Sequence, residues 1–211
     1  MAAHPRLAAE DRRRQIMQVA MDLFAQKGFD GTTTREIADR AGVNEAIIFR
    51  HFPGKEDLYW AIIEDKCRVS DARRRYEEKL HAGWSDHRAF AAIAEQIIRR
   101  HTEDTTLTRL LLFSALTNHR LAHRFFRTHI AEYYEILAEH IRERIRRKAF
   151  RPVDPLLAAR GFLGMVIHYI WVQELFGGKR YQNFDLQRVS ETLAGIWIGG
   201  MLTRNGGLKG K

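Results

Sequence analysis

Residues 32–59 read TTTREIADRAGVNEAIIFRHFPGKEDLY, and their punctuation decides the fold. Thr33 followed by Glu36 is a capping-box pattern that starts a helix at Thr34. Ile37, Ala38 and Ala41 recur on one face of that helix, and Gly42 ends it after about two turns. Asn44 can cap a third short helix, Glu45 to Phe52, which Pro53-Gly54 closes. Two short helices joined by a tight turn, with longer helical patterns before and after, spell a helix-turn-helix. Such a unit lays its second helix in the major groove of duplex DNA, which admits a helix and presents a distinct pattern at each base pair.

Working outward, Ile16, Val19, Ala20, Leu23 and Phe24 form an apolar stripe on a first helix, Ala9 to Lys27, with Gly28 placed to cap it. A fourth helix is expected from Lys55 to Leu80, with Leu58, Ile62 and Val69 on its buried side. Further helices are expected at 86–102, 105–118, 121–149, 154–176 and 185–204, the last two opened by Asp154-Pro155 and Asp185. The chain therefore reads as all-α, with about nine helices. Residues 1–55 are expected to form a DNA-binding domain, 56–204 a helical ligand-binding and dimerisation domain, and 205–211 a disordered tail.

Composition narrows the function. The 211 residues are 45% hydrophobic and 29% charged, a soluble globular balance. Cys67 is the only cysteine, so no intramolecular disulfide forms, and a cytoplasmic location is expected. Met1 to Arg14 is polar and Arg-rich, unlike a signal peptide, and the most apolar segment, Gly161 to Val172, reads as too short for a membrane span and contains His168. No membrane partner is expected. The formal net charge of +9 suits a nucleic-acid partner, yet residues 1–55 hold nine cationic side chains against seven carboxylates. The excess lies downstream, in the run Arg142, Arg144, Arg146, Arg147, Lys148 and Arg151, so the motif and not the charge locates a DNA site. There is no glycine-rich phosphate loop, nucleophile elbow, His-Glu-x-x-His or convincing carboxylate pair, so no catalytic residue and no cofactor is assigned.

Ile16, Ala20, Leu23-Phe24, Lys27-Gly28-Phe29, Thr33-Thr34, Ile37-Ala38, Ala41-Gly42-Val43, Phe49, His51-Phe52 and Lys55-Glu56-Asp57-Leu58-Tyr59 together resemble the TetR family of regulators. The resemblance implies a homodimer that binds operator DNA and answers to a small molecule. It places Thr34 and Arg35 at the N-terminus of the second helix, where free N–H groups favour a phosphate. His51 stands where the family's histidine meets the backbone. Phe49 stands where the family usually has tyrosine, and so lacks a hydroxyl for phosphate. Lys55 opens the fourth helix, a poor place for a cation unless an anion such as phosphate is near. Base reading falls to Asn44, Glu45, Ala46, Ile47 and Arg50. Arg50 suits guanine or a phosphate, and Glu45 suits cytosine N4 or the orienting of an arginine.

The remainder implies the family's second domain. Gly161, Gly164, Gly195, Gly199 and Gly200 lie inside expected helices, where each costs about 1 kcal/mol relative to alanine. Close helix packing in a two-fold dimer interface accounts for them, and packing in lipid fails on length. Phe113, Tyr133, Tyr134, Phe162, Met165, His168, Tyr169 and Trp171 are candidates to line a pocket for an apolar or aromatic effector, with ordinary core packing as their other use. His119 and His123 have a metal-ligand spacing but no third ligand nearby, so no metal is assigned. The competing use of this chain is a helical RNA-binding or interaction protein working through the basic run at 142–151.

Overall fold

The computed structural model describes residues 9–70, 72–117 and 120–203. Helices run over α1 Ala9–Lys27, α2 Thr34–Ala41, α3 Glu45–His51, α4 Lys55–Ser70, α5 Ala72–His81, α6 Asp86–Glu103, α7 Thr106–Leu116, α8 Arg120–Phe125, α9 Ala131–Arg146, α10 Pro155–Ile170 and α11 Leu186–Met201. Single π-type turns, Phe126–Ile130 and Trp171–Leu175, precede α9 and follow α10. Among the described residues the only strand-like pairing is one bridge between Phe150 and Leu202.

The chain forms two compact units, one of α1–α4 with α7 and α8, the other of α5, α6 and α9–α11. That division differs from the boundary expected at residue 55. In the first unit α1 is the hub, packing against α2, α4 and α7. Phe24, Phe29 and Tyr59 form an aromatic knot with ring centroids 5.3–5.7 Å apart. The Tyr59 hydroxyl donates to the Leu110 carbonyl at 2.9 Å and shares a 2.8 Å bond with Ser114. Burial pushes this phenol up to about 12, against the lowering influence of Ser114. Arg109 donates to the last turn of α1, at Ala25, and Phe113 packs over Gly28, whose φ of 76° makes it the left-handed cap of that helix.

In the second unit, α6 packs on α11 and α10, and α10 also on α9. Phe90 lies at the centre, stacked on Trp197 at 4.4 Å and edge-on to Phe162 at 4.9 Å. The Trp197 indole N–H donates to the Ala158 carbonyl at 3.1 Å, so this large ring leaves no orphaned donor. Ser85 caps α6, and Asp86 beside it accepts from His140 at 3.0 Å and Arg144 at 2.8 Å.

Several expectations need correction. Over the helix expected at 55–80 the described residues are helical, Lys55–Ser70 and Ala72–His81; Asp71, and the side chain of Val69, lie outside the described residues. The helix expected to reach 149 ends at Arg146. Lys148 takes φ 61°, with Lys148 N–H bonded to Ile145 and Ala149 N–H to Arg144, so a lysine fills the left-handed cap usually given to glycine. The exclusion of a membrane span by length also fails, because α10 with its π turn, Pro155–Leu175, is 21 residues and apolar enough. Its buried Ala159, Phe162, Leu163, Val166 and Ile170 instead face the core of the second unit, and Arg160 is exposed on it. Four cations of the basic run carry carboxylate partners: Arg142 pairs with Glu135 and Glu139, Arg146 and Arg147 with Glu143, and Arg144 with Asp86. His119 and the tail at 205–211 lie outside the described residues, and His123 is exposed. Among the described residues no cluster of three or more His, Cys, Asp or Glu is placed to hold a metal.

Candidate nucleic-acid interface

The turn between α2 and α3 is made by backbone bonds. Gly42 takes φ 64°; its N–H reaches Asp39, and the Val43 N–H reaches Ala38 at 3.0 Å, a Schellman closure of α2. Alanine in that conformation is strained by about 1–2 kcal/mol. Gly42→Ala is therefore expected to lower thermal stability by that amount, although a Cβ there meets no atom within 4 Å. Urea denaturation checks it, and an unchanged midpoint would refute the assigned cause.

Both short helices are capped as their sequences dictate. Thr33 Oγ1 accepts from the Glu36 N–H at 3.1 Å, and Asn44 Oδ1 from the Ala46 N–H at 2.9 Å. The reciprocal half of the expected capping box is replaced, because the Glu36 carboxylate pairs with Lys27. Two α1 residues brace the other ends. Gln15 donates to the Ala41 carbonyl at 3.2 Å, and Arg13 donates to the His51 carbonyl at 3.2 Å with its guanidinium over the Phe52 ring. Sequence reading missed both, since Arg13 sits in an Arg12-Arg13-Arg14 run that looks like plain surface charge.

On α3, Ile48 is fully buried and anchors the helix. Ala46, Phe49 and Arg50 fall at i, i+3 and i+4 on the opposite face, all exposed, and Asn44 is exposed at its start. Arg35 is exposed at the start of α2, while Thr34, Glu45, Ile47 and His51 are half-buried. Glu45 has an unexpected partner. Its carboxylate accepts from the Thr34 hydroxyl at 2.5 Å, clipping the start of α3 to the start of α2, so it orients neither arginine nor base in this arrangement. Lys55 likewise needs no phosphate to explain it: its ammonium donates to the carbonyls of Phe29 and Thr32, each at 2.9 Å, and sits 4.3 Å over the Phe29 ring.

The candidate effector residues are divided between the two units. Phe113 belongs to the first unit and the other seven to the second. Phe162 is core, Tyr133 packs against Tyr76, and Tyr134 lies beside Phe126 and Arg160. Met165 is half-buried against the core, Trp171 is half-buried in the π turn, and His168 is exposed. Tyr169 alone of the eight lines a cavity of about 270 Å³ bounded by α6, the π turn after α10 and the segment before α11. Of the five helical glycines, Gly161, Gly164, Gly199 and Gly200 face open space, and Gly195 does not: a Cβ there would stand 3.5 Å from His87 of α6. A Cβ at Gly195 would make an ordinary van der Waals contact with the His87 ring, whereas the other four would meet nothing.

Comparison with known proteins agrees with this architecture. Residues 16–62 match the model for bacterial regulatory proteins of the tetR family, and residues 88–193 match the C-terminal domain of AefR-like transcriptional repressors. Nucleoid occlusion factor SlmA of Glaesserella parasuis serovar 5 (strain SH0165) is 22% identical over 190 residues, covering 87% of this chain and 92% of its own. The HTH-type transcriptional regulator AcrR of Shigella flexneri is 35% identical over 81 residues, 38% of either chain. Among solved structures, the transcriptional regulator FadR from Bacillus subtilis in complex with stearoyl-CoA shares the fold with a TM-score of 0.72 at 20% identity, over 89% of this chain and 98% of that one. With a helix-turn-helix at one end and a matching helical domain over half its length, the chain belongs to the TetR family of DNA-binding transcriptional regulators, which are not enzymes.

Proposed function

We propose that this regulator is a ligand-responsive repressor that grips a palindromic operator as a homodimer and lets go when a small molecule binds its second unit. The observation that carries the DNA half is the exposed row Ala46, Phe49 and Arg50, on a helix whose buried side and both ends are fixed by Ile48, Asn44 and Arg13. Arg50 reaches a guanine edge or a phosphate, Phe49 packs on sugar or a thymine methyl, and Ala46 leaves room for close approach. Asn44 and Ile47 flank that row. Thr34 and Arg35 meet phosphate at the start of α2, with His51 a further backbone contact. Lys55 acts here by holding the Phe29–Thr32 turn that carries α2, with its remaining ammonium proton open to phosphate.

The dimer half rests on α10 and α11. Leu157, Gly161, Gly164 and His168 make one exposed stripe along α10, and Ile196, Gly199 and Gly200 another on α11. Leu157 and Ile196 are 65% and 63% exposed, an apolar surface that a second copy would cover. A two-fold pair presents two recognition helices to half-sites about one or more helical turns apart. Ligand and operator then weaken each other reciprocally.

Selection from a random duplex pool by the purified chain, at stated salt, tests the reading: an enriched palindrome supports it, and salt-sensitive binding with no enrichment rejects it. On the selected operator, Arg50→Ala is expected to weaken binding by about 1–3 kcal/mol. Fluorescence anisotropy against operator and scrambled duplex separates the roles. Loss confined to the operator marks a base contact, equal loss on both marks a phosphate contact, and no loss removes Arg50 from the interface.

A further inference from the structure

With seven residues, α3 is a short helix whose seating depends on a few attachments along its length. In its middle Ile48 is fully buried. At its far end Arg13 donates to the His51 carbonyl at 3.2 Å and lies over the Phe52 ring. At its near end Asn44 caps the Ala46 N–H, a bond that travels with α3 wherever the helix points. The tie to α2 is the 2.5 Å bond from the Thr34 hydroxyl to the Glu45 carboxylate, which joins the first residue of α2 to the first residue of α3. A hydrogen bond to an ionised carboxylate is shorter and stronger than a neutral pair. Glu45 is half-buried and stands beside the exposed row Ala46, Phe49 and Arg50. A carboxylate there opposes the phosphates of any duplex, so its presence on a DNA-reading helix asks for a use other than contact with the backbone.

We infer that Glu45 is a positioning residue for operator recognition: through Thr34 it holds the start of α3 at the setting in which the row Ala46, Phe49 and Arg50 enters the groove, and it does not touch DNA itself. The inference rests on the reading of α3 as the recognition helix, and it adds which contact sets that helix in register. The Thr34 hydroxyl is committed to Glu45, so what Thr34 offers a phosphate is its backbone N–H. Without the clip, a helix of about two turns held at Ile48 and Arg13 pivots about those points. Only a fraction of the molecules then presents the row at the setting an operator needs, and the apparent affinity falls by that fraction. Binding to duplex of arbitrary sequence comes from phosphate contacts, which tolerate such a pivot. The clip therefore acts on discrimination between sequences more than on affinity for DNA in general.

The test is a double-mutant cycle on the full chain: Glu45→Ala, Thr34→Val and the two together, titrated by fluorescence anisotropy on the selected operator and on scrambled duplex at one salt concentration. Each single variant is expected to bind the operator about tenfold more weakly, and to change on scrambled duplex by about twofold at most. The double variant is expected to be no weaker than either single one, because both remove the same bond. Glu45→Gln keeps an acceptor and Thr34→Ser keeps a hydroxyl, so each should retain most of the operator affinity. Additive losses would make the two residues separate contacts. A loss with Glu45→Ala but not Thr34→Val would make the carboxylate a base reader. Tighter or unchanged operator binding would leave it only a repelling charge, and equal losses on both duplexes would leave only general damage to the domain. Each of these results overturns the inference. Should Thr34→Val not fold, Thr34→Ala takes its place in the cycle. A parent chain that binds both duplexes alike sinks the recognition reading and the inference with it, whereas a parent that prefers its operator while the variants show no coupling sinks the inference alone.

Discussion

Phe90→Ala is expected to remove about 3–5 kcal/mol of folding stability from the second unit. Phe90 is fully buried and touches the rings of Trp197, Phe162 and His140. Removing the ring forfeits its transfer free energy and also opens a cavity between α6, α10 and α11, whose aromatic walls are too rigid to collapse. The Trp197 indole is held by its bond to Ala158 and so cannot swing in to fill the gap. Calorimetric or urea unfolding of the purified variant measures the loss. A cost under about 1 kcal/mol would mean that the aromatic cluster is not the packing centre described here.

Acid is expected to destabilise the same unit through His101. This histidine lies in the last turn of α6, and burial, with Arg100 beside it, pushes its pKa down to about 4 against a weaker opposing pull from Asp104. In the unfolded chain the imidazole takes up its proton near its ordinary value of about 6.5. Protonation therefore favours unfolding. The contribution of His101 is whole above that value, falls as the pH drops, and is gone below about 4. The full swing is as much as about 3 kcal/mol, at about 1.4 kcal/mol for each unit of pKa displacement. Melting temperatures between pH 7 and 4 test it against His101→Gln, which should flatten the slope. A variant with the same acid slope as the parent would assign the effect elsewhere, and Asp86 is the next group in line. There burial raises the pKa, and His140 and Arg144 outweigh it, so its contribution is held at neutral pH and lost only in stronger acid.

What the sequence made legible is what neighbouring residues decide. Thr33, Asn44, Asp154 and Asp185 announce helix starts because each side chain bonds an N–H two or three residues on. Gly42 announces its stop because only glycine takes φ 64° without strain. The stop at Lys148 was illegible for the same reason: a lysine holds the left-handed position, and no composition signal marks it. Long-range partners were equally hidden. Nothing near Lys55 in sequence shows that the Phe29 and Thr32 carbonyls satisfy it, nor near Arg13 that it ends α3. The helix-turn-helix was read from its caps and turn and its DNA-contact candidates were named largely by resemblance, while the effector candidates were picked mainly for aromatic character. Aromatic residues serve cores as readily as pockets, so Phe162 went to the core and only Tyr169 of the eight lines the cavity beside α6.

The cross-linked charges on α9 bear on how this protein responds to its ionic surroundings. Counterions are released from DNA only by cations free to replace them, and Arg142, Arg144, Arg146 and Arg147 are each already matched by a carboxylate. The logarithm of affinity falls with the logarithm of salt by about 0.9 per phosphate neutralised, so on the proposed interface the slope is expected to count exposed cations of α2 and α3, such as Arg35 and Arg50, and not the chain's formal +9. A salt titration of operator binding is therefore expected to give a shallower slope than the formal charge suggests.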